Sequence, residues 1–474
     1  MIVKNECKNL SLAQEIATKL EFDINLAKIV ANRNINTIDD AVDFIYPKLD
    51  NLSNIDNYVG LTEVAARIQL AIDEKQTVII YGDYDCDGIC ATSILFLFLK
   101  SKGVKVTPFL PSRFDNGYGL NIECLEELVE NLLPDLLITV DCGISNIEEV
   151  EYCNEVLGVD VIVTDHHTPP TDLPQCLIFN PKLSNSDNVF VDLCGAGIAL
   201  RLVEKLSSLA ESKKYFDIAC LATVADVVPL VGDNRIITYF GLKSINSGFR
   251  KGLDLLIKSN QKQRGEITSS DIAFGLAPKI NSVGRLGDAN KVLGLFCESD
   301  RFLLDCLVDE INKTNEQRQQ LTADLVEFCN DKLQGYDFDK QPIIILYNAY
   351  WEEGVLGITA SKIVGEFNRP TILLTKTKDG QIKGSGRSIN GIDLYQLLEQ
   401  GKQFLIKFGG HKMACGLSLE EKSLQALSDC LNNFALSNFD KTIFETNYVY
   451  DGDIADIVDI NSFCRQLSFL EPYG

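Results

Sequence analysis

The sequence predicts an α/β protein with a parallel sheet, followed by a second α/β lobe. Three observations predict it. From Thr77 onward, short runs of Val, Ile and Leu alternate with longer amphipathic stretches, the pattern of strands joined by crossover helices. Several of these runs stop at an aspartate, as strands do where a parallel sheet presents a site at its carboxyl edge. A further set of apolar runs opens at "QPIIILYN" (341–348), after a stretch from Arg301 to Leu333 without Gly or Pro.

Taken in order, residues 1–60 read as short polar helices around "LSLAQEIATKL" and "IDDAVDFIYPKL". A main lobe follows over 61–297. Thr77–Tyr81 is a β-branched apolar run that reads as a buried strand, and an apolar helix is expected from about Ile89 to Lys100. Helical spacing over 301–333 predicts one long helix or a helix pair, taken as a connector over 298–336. The second lobe is expected over 337–438, and 439–474 reads as the opening of a further domain.

Composition limits the function classes. The 44 Lys and Arg against 67 Asp and Glu give a formal charge of −23, which excludes a general nucleic-acid coat protein but not a nuclease with one local groove. Lys376–Lys412 is the one basic strip, with seven Lys or Arg against three acids. The fifteen cysteines form no C-x-x-C pair and predict reduced core thiols in a cytoplasmic protein. The opening "MIVKNECKNLSLAQEI" has no apolar stretch of secretory length, and the run Ile89–Leu99 is too short to cross a bilayer. No membrane partner is expected.

The stretch "YGDYDCDGICATS" (81–93) places Asp83, Asp85 and Asp87 at every second position. Its letters fit the start of a calcium loop, but the twelfth loop position is Ile94 and a strand, not a helix, precedes it. The alternative is one part of a divalent-metal site. "LLITVDCGIS" delivers Asp141 after an apolar run, "VDVIVTDHHTPP" delivers Asp165, His166 and His167, and "IACLATVADVVPL" delivers Asp226 after a run that is either a strand or a buried helix. Single aspartates at such places are ordinarily turn or helix caps. The chain has only three histidines, however, and two of them are adjacent beside Asp165. Carboxylates with one or two imidazoles suit Mg²⁺ or Mn²⁺ better than zinc. Two such ions about 3.5–4 Å apart can activate water and stabilise both oxygens in phosphate-ester hydrolysis. Asp141, alone on its strand, is the natural bridging ligand.

In this order, "DYDCDG", "VDCG", "DHH" and "VADVVPL" resemble the four motifs of the DHH phosphoesterase superfamily. "GSGRS" and "FGGHKMACG" resemble its DHHA1 substrate-binding domain. "PSRFDNGYGLN", "LCGAGIAL", "FGLAPKINSVGRLGDA" and "WEEGVLGITASKIV" narrow the resemblance to the RecJ family of bacterial single-strand-specific exonucleases. The resemblance implies a DHH catalytic domain over 61–297, a DHHA1 domain over 337–438 and an incomplete OB-fold segment over 439–474.

It implies Asp85, Asp87, Asp141, His166 and Asp226 as ligands of two Mn²⁺ or Mg²⁺ ions, with Asp83 and Asp165 orienting them and His167 facing the scissile phosphate. Tyr81 stands where many superfamily members carry a ligating His, so the first ion is expected to be weaker, more watery or substrate-dependent. Arg113, Arg285 and Arg387, with Ser385, would read the 5′ end, because a guanidinium fork binds phosphate oxygens in pairs. Tyr118 would stack on a base, and His411 would contact phosphate.

The implied activity is 5′-to-3′ hydrolysis of single-stranded DNA to 5′-mononucleotides in repair and recombination. A single strand with a 5′ end would be the partner, and a single-strand-binding protein or helicase a further one, with the chain a monomer. The rivals are a DHH-type phosphodiesterase for short oligonucleotides or cyclic dinucleotides, and a DNA-binding scaffold built on a decayed enzyme.

Overall fold

The computed structural model describes residues 2–33, 35–112, 119–184, 189–263, 265–377 and 380–473. It divides into two compact units, one of Glu6–Asn315 with Gly452–Gly474 and the other of Met1–Asn5 with Glu316–Asp451.

The strands are numbered along the chain from β1 (Ile2–Lys4). In the first unit β2 (Thr77–Gly82), β3 (Lys105–Phe109), β4 (Leu136–Val140), β5 (Asp160–Thr164) and β6 (Leu177–Phe179) form a wholly parallel sheet in the order β3-β2-β4-β5-β6. Alternate side chains enter two separate cores, as the twofold period of a strand requires. Val78, Ile80, Leu136, Ile138 and Ile162 face a core shared with the helices Leu61–Asp73, Cys86–Ser101, Gly195–Leu206 and Phe216–Ala225. Ile79, Tyr81, Leu137, Val161 and Val163 face the core on the other side, which includes Leu125 and Val150. Burial on both faces explains why these strands read as continuous apolar runs.

The chain leaves β2 for β3 on one side and returns to β4 on the other. The carboxyl ends of β2 and β4 therefore flank the point where strand order reverses, where open α/β sheets place ligands.

The run before Asp226 is a helix, Phe216–Ala225, with Asp226 as its C-cap residue. Every residue of that helix but the last is buried, so its apolar run carries no helical stripe to tell it from a strand. The helix expected from about Ile89 begins three residues earlier, at Cys86, capped by the Asp85 carboxylate.

The helices Leu10–Leu20, Ile24–Ala31 and Ile38–Ile45 enclose a small core that also takes in Phe463, Leu467 and Leu470. The stretch read as an OB-type opening thus contributes one described strand, β12 (Tyr448–Tyr450), and then the helix Ile460–Leu467.

The connector is a single helix, Arg301–Leu333, about 50 Å long at 1.5 Å per residue. In the second unit β7 (Ile344–Tyr347), β8 (Thr371–Lys376), β9 (Ile382–Arg387), β10 (Lys407–His411) and β11 (Ala414–Leu419) form a mixed sheet in the order β10-β11-β9-β8-β7, with only β7 and β8 parallel. The strand β1 pairs in parallel with β12. All fifteen cysteines are free thiols. Among the described residues no helix is long and apolar enough to cross a membrane.

Candidate metal centre

Asp83, Asp85 and Asp87 lie just past β2, Asp141 just past β4, and Asp165, His166 and His167 just past β5, so neighbouring strands bring them together at one sheet edge. Asp226 arrives from the end of the helix Phe216–Ala225. Oxygen and nitrogen atoms of three groups lie close enough to share a cation: Asp83, Asp85 and Asp141; Asp87, His166 and Asp226; and Asp141 with both histidines. His166 Nε2 stands 3.1 Å from Asp141 Oδ1, 3.8 Å from Asp226 Oδ2 and 3.9 Å from Asp87 Oδ2.

Backbone N–H groups hold several of these side chains in place. Asp85 Oδ1 accepts the N–H groups of Asp87 and Gly88, the usual N-cap arrangement. Asp87 caps a different helix: Oδ2 accepts the Gly195 N–H at 2.5 Å and Oδ1 the Ala196 N–H at 2.7 Å. Only glycine fits at 195, because a Cβ there would lie 2.6 Å from Asp141 Cβ. Asp141 itself has φ of 63°, left-handed backbone that is costly for a non-glycine residue and clusters at functional sites.

Asp165 is buried and orients His167. Its Oδ1 accepts the His167 N–H and lies 2.7 Å from His167 Nδ1, while Oδ2 accepts the Ile144 N–H. Asn180 Nδ2 donates to the His167 carbonyl and Lys182 Nζ to that of His166, fixing the loop from beneath.

The electrostatics call for a cation. Burial, and then the charge of Asp87, push both Asp85 and Asp141 above the usual carboxylate range. Burial, Asp87 and Asp85 push Asp226 up to about 8. Burial lowers His166, which keeps its ring neutral with a lone pair to offer. Burial also pulls on His167, but the hydrogen bond and charge of Asp165 outweigh it and leave this ring above its ordinary value. Those same contacts hold Asp165 below the usual carboxylate range in spite of its burial.

The residues fit a pair of hard divalent ions on two grounds. The donor set is carboxylate oxygen with one or two imidazoles. Asp141 Oδ1 is buried without a hydrogen-bond partner, and a buried charged oxygen stays unpaired only at a cost that a cation removes.

The sequence reading did not place Asp83 among the ligand atoms, and its grouping with Asp85 and Asp141 makes it a direct candidate. It also missed the Gly195 and Ala196 amides, although "CGAG" offered the small residues that a close approach needs. Tyr81 is turned away from the ligands: its ring packs in the opposite core, its hydroxyl donates to the Gly119 carbonyl, and burial keeps it protonated.

Of the expected substrate contacts, Arg285 lies in the same unit, on the helix Ala277–Leu286, and its charge favours ionised Asp85. Ser385, Arg387 and His411 lie in the other unit. Arg387 Nη1 donates to Ser385 Oγ at 3.0 Å. His411 and Arg387 both pair with Ala414, so the two residues share one row of the sheet roughly 10 Å apart. Arg113 and Tyr118 lie outside the described residues.

Known proteins are similar to both α/β parts in sequence and fold. The DHH family N-terminal domain matches residues 77–224, and the DHHA1 domain matches residues 340–436. The chain is 33% identical over 448 residues to the single-stranded-DNA-specific exonuclease RecJ of Salmonella typhimurium, covering 89% of this chain and 76% of that one. The chain belongs to the RecJ family.

The RecJ of Bacillus subtilis is likewise 33% identical, over 95% of this chain, which spans 57% of that relative's length. RecJ from Thermus thermophilus, crystallised in complex with Mn²⁺, superposes with a TM-score of 0.87 at 30% identity, covering 100% of this chain and 68% of its own. The order β3-β2-β4-β5-β6 and the acidic edge described above are therefore set on a RecJ fold.

Proposed function

We propose that this chain is a metal-dependent exonuclease that degrades single-stranded DNA from its 5′ end and releases 5′-mononucleotides. The observation that carries the reading is the unpartnered Asp141 Oδ1 amid Asp83, Asp85 and His166, in a member of the RecJ family. Residues 61–297 act as the catalytic domain and 337–438 as the substrate-binding domain.

Asp85, Asp87, Asp141, His166 and Asp226 would hold two Mn²⁺ or Mg²⁺ ions, with Asp141 shared. When bound, such a pair supplies Lewis acidity and lowers the pKa of water. The protein contributes position and charge. The Gly195 and Ala196 amides keep Asp87 aimed at the centre, and left-handed backbone turns Asp141 toward His166. Asp165 holds the His167 ring by Nδ1, leaving Nε2 to face substrate. A proton retained at Nε2 donates to a non-bridging oxygen of the scissile phosphate, where negative charge grows in the transition state. Arg285 in its unit offers a cation suited to phosphate oxygens, and Arg387 with Ser385 in the other unit offers a cation and a hydroxyl of the same chemistry.

Digestion of long strands labelled at either end, in Mn²⁺ and in Mg²⁺, tests the reading. Label at the 5′ end should be released first, as mononucleotide, from single strands and not from duplex. Cleavage confined to dinucleotides or to cyclic dinucleotides would replace it with the small-substrate alternative.

A further inference from the structure

The structure assigns Asn281 a positioning role: its side chain holds the acidic loop of the metal centre in ligating shape, an inference that rests on the two-ion reading above. Asn281 Oδ1 accepts the Cys86 N–H at 2.8 Å, across 195 positions of sequence. Cys86 sits between Asp85 and Asp87, and it is the first residue of the helix that Asp85 caps. The first N–H groups of a helix have no partner within it. The Asp85 side chain takes those of Asp87 and Gly88, and Asn281 takes the one between Asp85 and Asp87.

The contact belongs to a whole helix face. Asn281, Gly284 and Arg285 are spaced i, i+3 and i+4 on Ala277–Leu286 and so lie on one side of it. The Tyr84 carbonyl approaches Gly284 so closely that a Cβ there would lie 2.2 Å from its oxygen. Tyr84 and Cys86 are thus each met by one residue of this face, and the Arg285 charge acts on Asp85 between them. Because Asp85 and Asp87 flank the amide that Asn281 holds, release of that amide loosens the backbone from which both carboxylates project. The same helix carries the arginine expected to meet a terminal phosphate, so loop and phosphate contact are set on one rigid element.

Mn²⁺ binding to the full chain, followed by electron paramagnetic resonance, tests this without any substrate. Asn281→Leu keeps the volume and removes the acceptor. It should weaken Mn²⁺ binding about 10–100-fold, the range for loss of an outer-shell partner. Asn246→Leu removes a comparable loop-holding acceptor, which takes the Gly265 and Ile267 N–H groups away from the metal centre. It should lower the melting temperature and leave Mn²⁺ affinity as it was. Asn281→Asp retains an acceptor oxygen and should bind Mn²⁺ at least as tightly as the parent. Parent-like Mn²⁺ affinity in Asn281→Leu overturns the role. If that variant does not fold, weakened Mn²⁺ binding by Asn281→Asp overturns it instead. A parent chain that binds no Mn²⁺ would overturn the two-ion reading itself, a distinct result.

Discussion

His166 Nε2 stands 3.1 Å from Asp141 Oδ1, and no hydrogen bond satisfies that oxygen. A neutral imidazole offers that carboxylate oxygen no charge, and a cation shared between them would turn the contact into a favourable one. Asp141→Asn keeps the shape and tolerates the left-handed backbone while removing the charge. It should lower hydrolysis in Mg²⁺ and Mn²⁺ at least about 100-fold, beyond what loss of an outer-shell partner usually costs. The metal-free variant should melt no lower than the parent, since it relieves crowding among carboxylates. Retained turnover with this variant would contradict a bridging role.

Asp226 makes stability depend on pH. Its carboxyl rises from 3.8 to about 8 on folding, so the folded chain binds a proton that the unfolded chain releases. Its contribution is whole below pH 4 and is lost as pH rises toward 8. Asp85 and Asp141 shift in the same direction. The gain in melting temperature from Mn²⁺ should therefore be larger at pH 8 than at pH 5, and Asp226→Asn should narrow that difference. An equal gain at both values in the parent would contradict it.

Gly195→Ala would place a methyl 2.6 Å from Asp141 Cβ and 2.8 Å from its Oδ1. The expected cost is about 1–3 kcal/mol of stability from overpacking. Mn²⁺ affinity should fall in the same variant, because both Asp87 amide contacts and Asp141 lie at that point. Urea unfolding with and without Mn²⁺ separates the two effects.

His167 owes its high proton affinity to Asp165. With three histidines in the chain, imidazole titration by NMR is readily assigned. Asp165→Asn should move the His167 titration to lower pH and shift the alkaline limb of kcat the same way. A His167 titration unmoved by the substitution would show that another group sets it.

Arg387→Ala removes the guanidinium that Ser385 accompanies on β9. Loss of a charge-assisted phosphate contact should raise KM for 5′-phosphorylated strands and spare 5′-hydroxyl strands. Equal losses on both would reassign that pocket.

Much of the site was legible because its parts are local. A strand's apolar run ends where its residues leave the core, so Asp141 and the Asp165–His167 cluster announced themselves, and the spacing of Asp83, Asp85 and Asp87 is itself a local signal. Asp226 was legible as an acid after an apolar run but not as a helix cap, because burial all round erases the helical period. The joining of the C-terminal helix Ile460–Leu467 to the core of residues 12–45 could not be read at all, since it depends on contacts across more than four hundred positions.

From the sequence alone came the α/β class, the two lobes, the connector and the residue types of the candidate metal centre, since each follows from periodicity and chemistry within a few residues. Packing decided which partner each acid meets: Gly195 and Ala196 for Asp87, Asn281 for the amide beside Asp85, and Gly119 for the Tyr81 hydroxyl. Hydrogen bonds between distant segments are selected by the geometry of the folded core, and no local pattern in the chain encodes them.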